Sequence, residues 1–176
     1  MALERQQHNI APVFDEHSRI LILGSFPSVK SRESAFFYGH PQNRFWKIMA
    51  AIFNEEVPVT VEQKKVLLLK HRIAVWDVIA SCEIEGSSDS SIRNVVPNDI
   101  DWILQQAPIK RICLNGGTAY RMFQKYNRGK RLPEICQLPS SSPANAGYRL
   151  EALVEEWKKW IVINLSLIHI SEPTRH

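Results

Sequence analysis

Apolar positions along the chain fall into two alternating patterns. Nearly continuous apolar runs stand at 19–24 (R-I-L-I-L-G), 73–78 (I-A-V-W-D-V), Arg111–Asn115 and Glu134–Leu138. Runs this short and β-rich predict strands, the first of the kind buried on both faces. Between them, apolar residues recur at helical spacing. Phe45, Trp46, Met49, Ile52 and Phe53 predict a helix over 43–53, and a second over 61–71 has Thr60 as its N-cap. Further helices are expected over 99–106, from Gly116-Gly117 to Tyr126, and over 149–160. The alternation of strands and helices predicts an α/β fold with a parallel sheet. The Ser- and Asp-rich stretch 80–98 is too polar to read as core. With no repeat and no linker, a single domain over 1–164 is expected.

Composition adds little to this picture but narrows it. At 176 residues, 44% hydrophobic and 23% charged, the chain reads as globular rather than disordered. Its net charge of +4 and pI near 9.1 suit a polyanionic partner, as they suit many unrelated enzymes. Cys82, Cys113 and Cys136 form no C-x-x-C pair and have no histidine at ligand spacing. That argues against zinc, an iron–sulfur cluster or a disulfide framework, so no metal and no cofactor are expected. Cys113 and Cys136 lie in apolar runs and read as buried thiols. No run of 18 apolar residues and no signal-peptide layout is present, which predicts a cytoplasmic protein away from membranes. Residues 165–176 (L-S-L-I-H-I-S-E-P-T-R-H) resemble one reading frame of a transposon-type sequencing adapter and are expected to be a non-native tail. His169, Glu172 and His176 are accordingly not read as a cluster.

In parallel sheets, sites form at the carboxyl ends of the strands, which here open loops at Gly24, Asp77, Asn115 and Leu138. The first loop carries Ser25, Phe26, Ser28 and Lys30, then three successive aromatics, Phe36, Phe37 and Tyr38. Those rings either seal the core or line a pocket on which a flat base stacks. His40 is either a structural histidine or a donor to a bound group, and Asn43 either caps the following helix or acts chemically. Asn115 ends a buried strand, where a lone amide needs partners; it reads as a base-edge reader or as a turn residue before two glycines. Asp77 reads as a structural acceptor. The last loop, P-S-S-S-P-A-N, offers small hydroxyls and backbone amides. Lys30, Arg32, Arg44, Arg93 and Lys130 are candidate phosphate contacts.

G-S-F-P-S with Y-G-H-P-Q-N-R-F-W, followed by L-P-S-S-S-P-A-N, resembles the uracil-DNA glycosylase superfamily, in particular its mismatch-specific and hypoxanthine-DNA glycosylase branches. The likeness spans residues 15–160. It implies a three-layer αβα sandwich with a central four-stranded, mainly parallel sheet. It also implies hydrolysis of the N-glycosidic bond of a deaminated base flipped out of DNA, by a monomer whose partner is damaged DNA, without metal. Phe26 departs from the mismatch-specific pattern, where a polar catalytic residue stands. The hypoxanthine branch shares that departure and assigns catalysis to the asparagine matching Asn43, with His40 a second candidate. The resemblance assigns base binding to Tyr38, Asn115, Ser25 and Phe26. The loop of its second signature offers Ser140, Ser141, Ser142, Pro143 and Ala144 for DNA contact, with Ser142, Pro143 and Ala144 where some relatives carry a bulky wedge, and Lys30 is a further candidate contact. Asn43 is expected to hold a water by accepting its hydrogen bond, because an oxocarbenium-like transition state needs little base assistance.

Overall fold

The computed structural model describes residues 3–7 and 10–162; the expected tail lies outside the described residues. In chain order the elements are β1 (Glu4–Gln7), β2 (Ile20–Gly24), α1 (Val29–Ser34), α2 (Phe45–Phe53), α3 (Val61–Lys70), β3 (Ile73–Asp77) and β4 (Ile79–Ile84). A short 3-10 turn (Asp89–Ser91) leads to β5 (Arg93–Pro97), α4 (Ile100–Leu104), β6 (Arg111–Asn115), α5 (Gly117–Tyr126), β7 (Glu134–Leu138) and α6 (Leu150–Ile161). Four parallel strands in the order β3-β2-β6-β7 form the central sheet, with helices on both faces, as expected.

Period-two burial explains why this sheet has two cores. Every residue of β2 is buried. Ile20 and Ile22 face α2, α3 and α6 together with Ile73, Val75, Cys113 and Cys136. Leu21 and Leu23 face the opposite side with Ala74, Ile112 and Leu114, against α4 and α5. Cys113 and Cys136 are free, buried thiols on adjacent strands, their sulfurs 3.2 Å apart. On the first face, α2 buries Phe45, Trp46, Ile48, Met49 and Ile52, and stops where Asn54 enters the left-handed region at φ 54°. The Thr60 cap of α3 is a full capping box with Gln63. Helix α6 buries Leu153, Trp157 and Ile161, one residue per turn.

The stretch 80–98 departs from expectation. Strands β4 and β5 pair with β1 in a three-stranded antiparallel sheet, order β1-β4-β5, which contributes Cys82, Ile84 and Ile92 to the second core. Its inward positions include a serine, Ser81, whose hydroxyl accepts from the Arg5 guanidinium at 2.9 Å, so the hydrophobic signal is diluted. Strand β1 is entirely polar and adheres through its backbone and the Arg5 side chain. The short helix α1, capped by the Ser28 side chain, was likewise not expected.

The sheet order reverses between β2 and β6, so a crevice opens at their carboxyl ends. The exits of β2 and β3 are tied together there: Val78 N–H donates to Gly24 O at 2.8 Å and Ile79 N–H to Ser25 O at 3.0 Å. Trp157, fully buried, anchors the exit of β7 by donating from Nε1 to Pro139 O at 2.8 Å. Truncating it removes the largest fully buried side chain of the first core and that anchor together. Trp157→Ala is expected to lower the unfolding free energy by about 3–5 kcal/mol, read by urea denaturation.

Candidate active site

A cavity of about 360 Å³ lies in that crevice, within the size range of small-molecule sites. Its wall draws on the exits of all four central strands: Gly24, Ser25 and Phe26; Asp77; Asn115; and Ser140 to Ala144. Tyr38, His40 and Asn43 come from the segment before α2, and Ser87 and Asp89 from the turn before β5. Of the residues assigned by sequence to catalysis, base binding or DNA contact, Lys30 alone stays away from this wall. It is exposed on α1, 3.8 Å from Glu33.

Tyr38 reaches the cavity because its backbone takes a left-handed conformation, φ 53°, which breaks the run of three aromatics. Phe36 and Phe37 turn into the core, where Phe36 stacks on Trp46 and Trp46 Nε1 donates to Phe37 O at 3.3 Å. Tyr38 stacks on Phe45 at 4.1 Å between ring centroids and 14° between planes, leaving its other side to the cavity. Ser31, fully buried on α1, supports this loop by accepting the Gly39 N–H at 2.8 Å. Both alternatives weighed for the aromatics are thus realised: Phe36 seals the core, Tyr38 lines the cavity, and Phe37 does both.

The polar side chains form one connected chain. Phe45 N–H donates to Asn43 Oδ1 at 2.9 Å, and the Ser141 hydroxyl donates to the same oxygen at 2.9 Å. Asn115 Nδ2 donates to Ser141 Oγ at 3.0 Å, while Ser141 N–H donates back to Asn115 Oδ1 at 3.0 Å. Backbone N–H groups can only donate, so each end of the chain dictates which way its amide faces. The hydroxyl between them has one arrangement left. Asn43 therefore does cap the turn before α2, and its amide nitrogen is the end left open. This differs from the expectation that its oxygen holds a water, because two donors already fill that oxygen.

The serine loop is also internally bonded. Ser142 N–H donates to Ser140 Oγ and Ala144 N–H to Ser142 Oγ, both at 3.1 Å, and Asn145 N–H donates to Ser142 O at 3.0 Å. The amides of Ser141, Ser142, Ala144 and Asn145 are thus occupied, whereas the hydroxyl protons of Ser140 and Ser142 remain to donate outward. Ser141 itself is fully buried. Arg44, a candidate phosphate contact by sequence, instead clamps this loop: its guanidinium donates to Ser142 O at 2.8 Å, to Asn145 O at 3.0 Å and to Tyr148 O. Arg32 similarly donates to Pro27 O and Gly86 O, and Lys130 pairs with Asp101 at 3.1 Å. His40 Nδ1 accepts from Gln42 N–H at 3.1 Å, which puts the proton of the neutral ring on Nε2. Phe26 packs into the second core beneath the Arg32 guanidinium.

Two carboxyls were not given a site role by sequence. Asp77, 3% exposed, lies beside Gly24, where a Cβ would come within 2.6 Å of its Oδ1 and 3.1 Å of the Tyr38 hydroxyl. Only glycine admits both groups, and the direct Gly24–Asp77 pairing across β2 and β3 sets that approach. Burial, reinforced by Asp89, pushes the Asp77 carboxyl up to about 7. Asp89 is itself raised by burial, against the opposing hydrogen bond from Ser25 Oγ at 3.2 Å. Burial, then the charge of Asp77, also raises the Tyr38 hydroxyl above its ordinary range. A glycine, an acid and a tyrosine scattered over 24–77 carry no local spacing that would have grouped them. Among the described residues, no group of three or more His, Cys, Asp or Glu could hold a metal ion, and no helix is long and apolar enough to cross a membrane.

An α/β sheet whose strand exits meet in a polar, aromatic-walled crevice is the architecture of the Uracil DNA glycosylase superfamily, and the chain belongs to it: the family matches residues 11–162. Within it, the chain is similar to a protein of Methanosarcina acetivorans named Hypoxanthine DNA glycosylase, 39% identical over 135 residues, covering 76% of this chain and 84% of that one. A Methanosarcina barkeri protein of the same name is 34% identical over 113 residues, covering 63% and 72%. A solution NMR structure from M. acetivorans, provisionally described as a uracil DNA glycosylase, superposes with TM-score 0.77 at 33% identity, covering 90% of this chain and 97% of that one.

Two outcomes follow from this geometry. Ser141→Ala strips a partner from both amides, and is expected to cost about 1–3 kcal/mol by chemical denaturation. Because the folded state raises the Asp77 pKa, it contributes stability at low pH that is lost as pH rises from the ordinary carboxylate range through about 7. Asp77→Asn is expected to remove that loss, melting several degrees above the wild type at alkaline pH and close to it in acid.

Proposed function

We propose that this protein excises hypoxanthine from DNA: it flips the deoxyinosine nucleotide into the cavity, hydrolyses the N-glycosidic bond, and leaves an abasic site. The observation that carries this reading is the joint presence, in one cavity, of a stacking ring (Tyr38), two oriented amides (Asn43 and Asn115) and a hydroxyl-lined mouth. The similarity to proteins named for hypoxanthine supports the choice of base.

In this reading the base stacks on Tyr38, while Ser140 and Ser142 donate hydroxyl protons to backbone phosphates at the mouth. Asn115 offers its remaining Nδ2 hydrogen to an acceptor on the base edge. Bond breaking runs ahead of attack, so the sugar develops oxocarbenium character before water is needed as a nucleophile. Asn43 then holds that water through Nδ2, fixing its position without removing its proton. His40, with its proton on Nε2, donates to the base as charge builds there. The protein acts on DNA as a monomer in the cytoplasm, and residues 1–164 form one catalytic domain followed by a non-native tail. The net positive charge supports the DNA partner.

The test is base release from an oligonucleotide with one deoxyinosine, read as alkali-dependent strand cleavage, with a deoxyuridine substrate alongside. Cleavage at inosine well above that at uracil is expected. Asn43→Ala should lower it at least about 10²-fold while damaged-DNA binding persists. Preferential cleavage at uracil would overturn the base assignment.

A further inference from the structure

We propose that Asp77 takes part in base release as an uncharged carboxylic acid, donating a hydrogen bond to the departing base and ceasing to support the reaction once it ionises. The inference rests on the base-release reading and adds a residue and a protonation state to it.

Position is the first argument. Asp77 ends β3 at the cavity wall, packed over Gly24 and beside the Tyr38 hydroxyl, which itself faces Asn115. Its backbone carbonyl is held by Asn98 Nδ2 at 2.9 Å, so the residue is fixed from both sides of the strand exit. A structural acid needs none of this placement in the wall of a base-sized cavity.

Charge is the second. Titratable groups facing it include the Tyr38 hydroxyl from the loop before α2 and Asp89 from the 3-10 turn; β2 presents Gly24, and β6 the neutral amide of Asn115. Arg121 of α5 acts on Asp89 rather than on Asp77. His40 shares the cavity. Burial and the neighbouring acid therefore favour the protonated form near neutrality.

Chemistry is the third. When the C1′–N bond breaks, its electron pair leaves with the base, so a second negative charge in the same poorly hydrated cavity opposes the reaction, whereas an O–H donor favours it. No proton need pass from Asp77. Water adds to C1′ and yields its proton to solvent, and the released base takes one from solvent. A neutral carboxyl also sets a donor beside an acceptor, the complement of the O6 and N1–H edge of hypoxanthine.

The experiment is the pH profile of single-turnover hypoxanthine release from the deoxyinosine oligonucleotide, from about pH 5.5 to about pH 9, with melting curves at each pH. The wild-type rate is expected to fall about tenfold per pH unit above about 7. Asp77→Asn, permanently neutral and still a donor, should remain active with no such limb, while Asp77→Ala should lose about 10²-fold at neutral pH. In His40→Gln the alkaline limb should persist, which separates the role of Asp77 from that of His40. A flat wild-type profile, a limb retained in Asp77→Asn, or a folded Asp77→Asn as inactive as Asp77→Ala overturns the role of Asp77 alone. Absence of inosine release at every pH overturns the base assignment on which that role rests.

Discussion

Two backbone N–H groups, those of Phe45 and Ser141, govern the polar interior of the site. Neither can accept, so each turns an asparagine oxygen toward itself, and the Ser141 hydroxyl between them is left a single orientation. The orientation of the two cavity amides is thus inherited from the backbone of a helix start and of a loop, elements positioned by the two cores. Side chains so held lose little freedom when substrate arrives, and preorganisation of this kind is what electrostatic catalysis requires. It also explains why the cavity tolerates half-buried amides: the oxygen of each is paired before any ligand enters.

Gly24 imposes a second, steric constraint. The acid of β3 and the phenol of the following loop both occupy the volume where a side chain on β2 would stand. The strand exit is therefore bare, and chemistry is supplied by neighbours leaning over it. The left-handed backbone of Tyr38 completes the arrangement by directing one ring of an aromatic run outward while its two predecessors seal the core.

Much of this was legible in the sequence. The four central strands stood out because both faces of each are covered, which leaves continuous apolar runs, and their exits pointed to the correct four loops. The antiparallel strands were not legible, because Ser81 occupies an inward position and β1 carries no apolar side chain. In the site, motif resemblance singled out Asn43, Tyr38 and Asn115, and all three line the cavity, but the second donor on the Asn43 oxygen comes from Ser141, 98 positions away. Arg32, Arg44 and Lys130 read as free cations because nothing in a sequence tells which carbonyls or carboxylates a side chain will meet. Asp77 read as structural because its cavity neighbours, Gly24, Tyr38 and Asp89, are distant in the chain.

The Arg44 clamp has a consequence for how the molecule is made. It joins the start of α2 to a carbonyl 104 positions later, and the intervening chain contributes three of the four central strands' closing partners, β3, β6 and β7. Contacts of such sequence separation form late, after loop-closure entropy has been met by the rest of the fold. Partly folded species can thus hold a sheet and helices yet lack a joined site. Enzymatic competence is the last property the chain acquires, so recovery of activity during refolding reports completion of the whole topology.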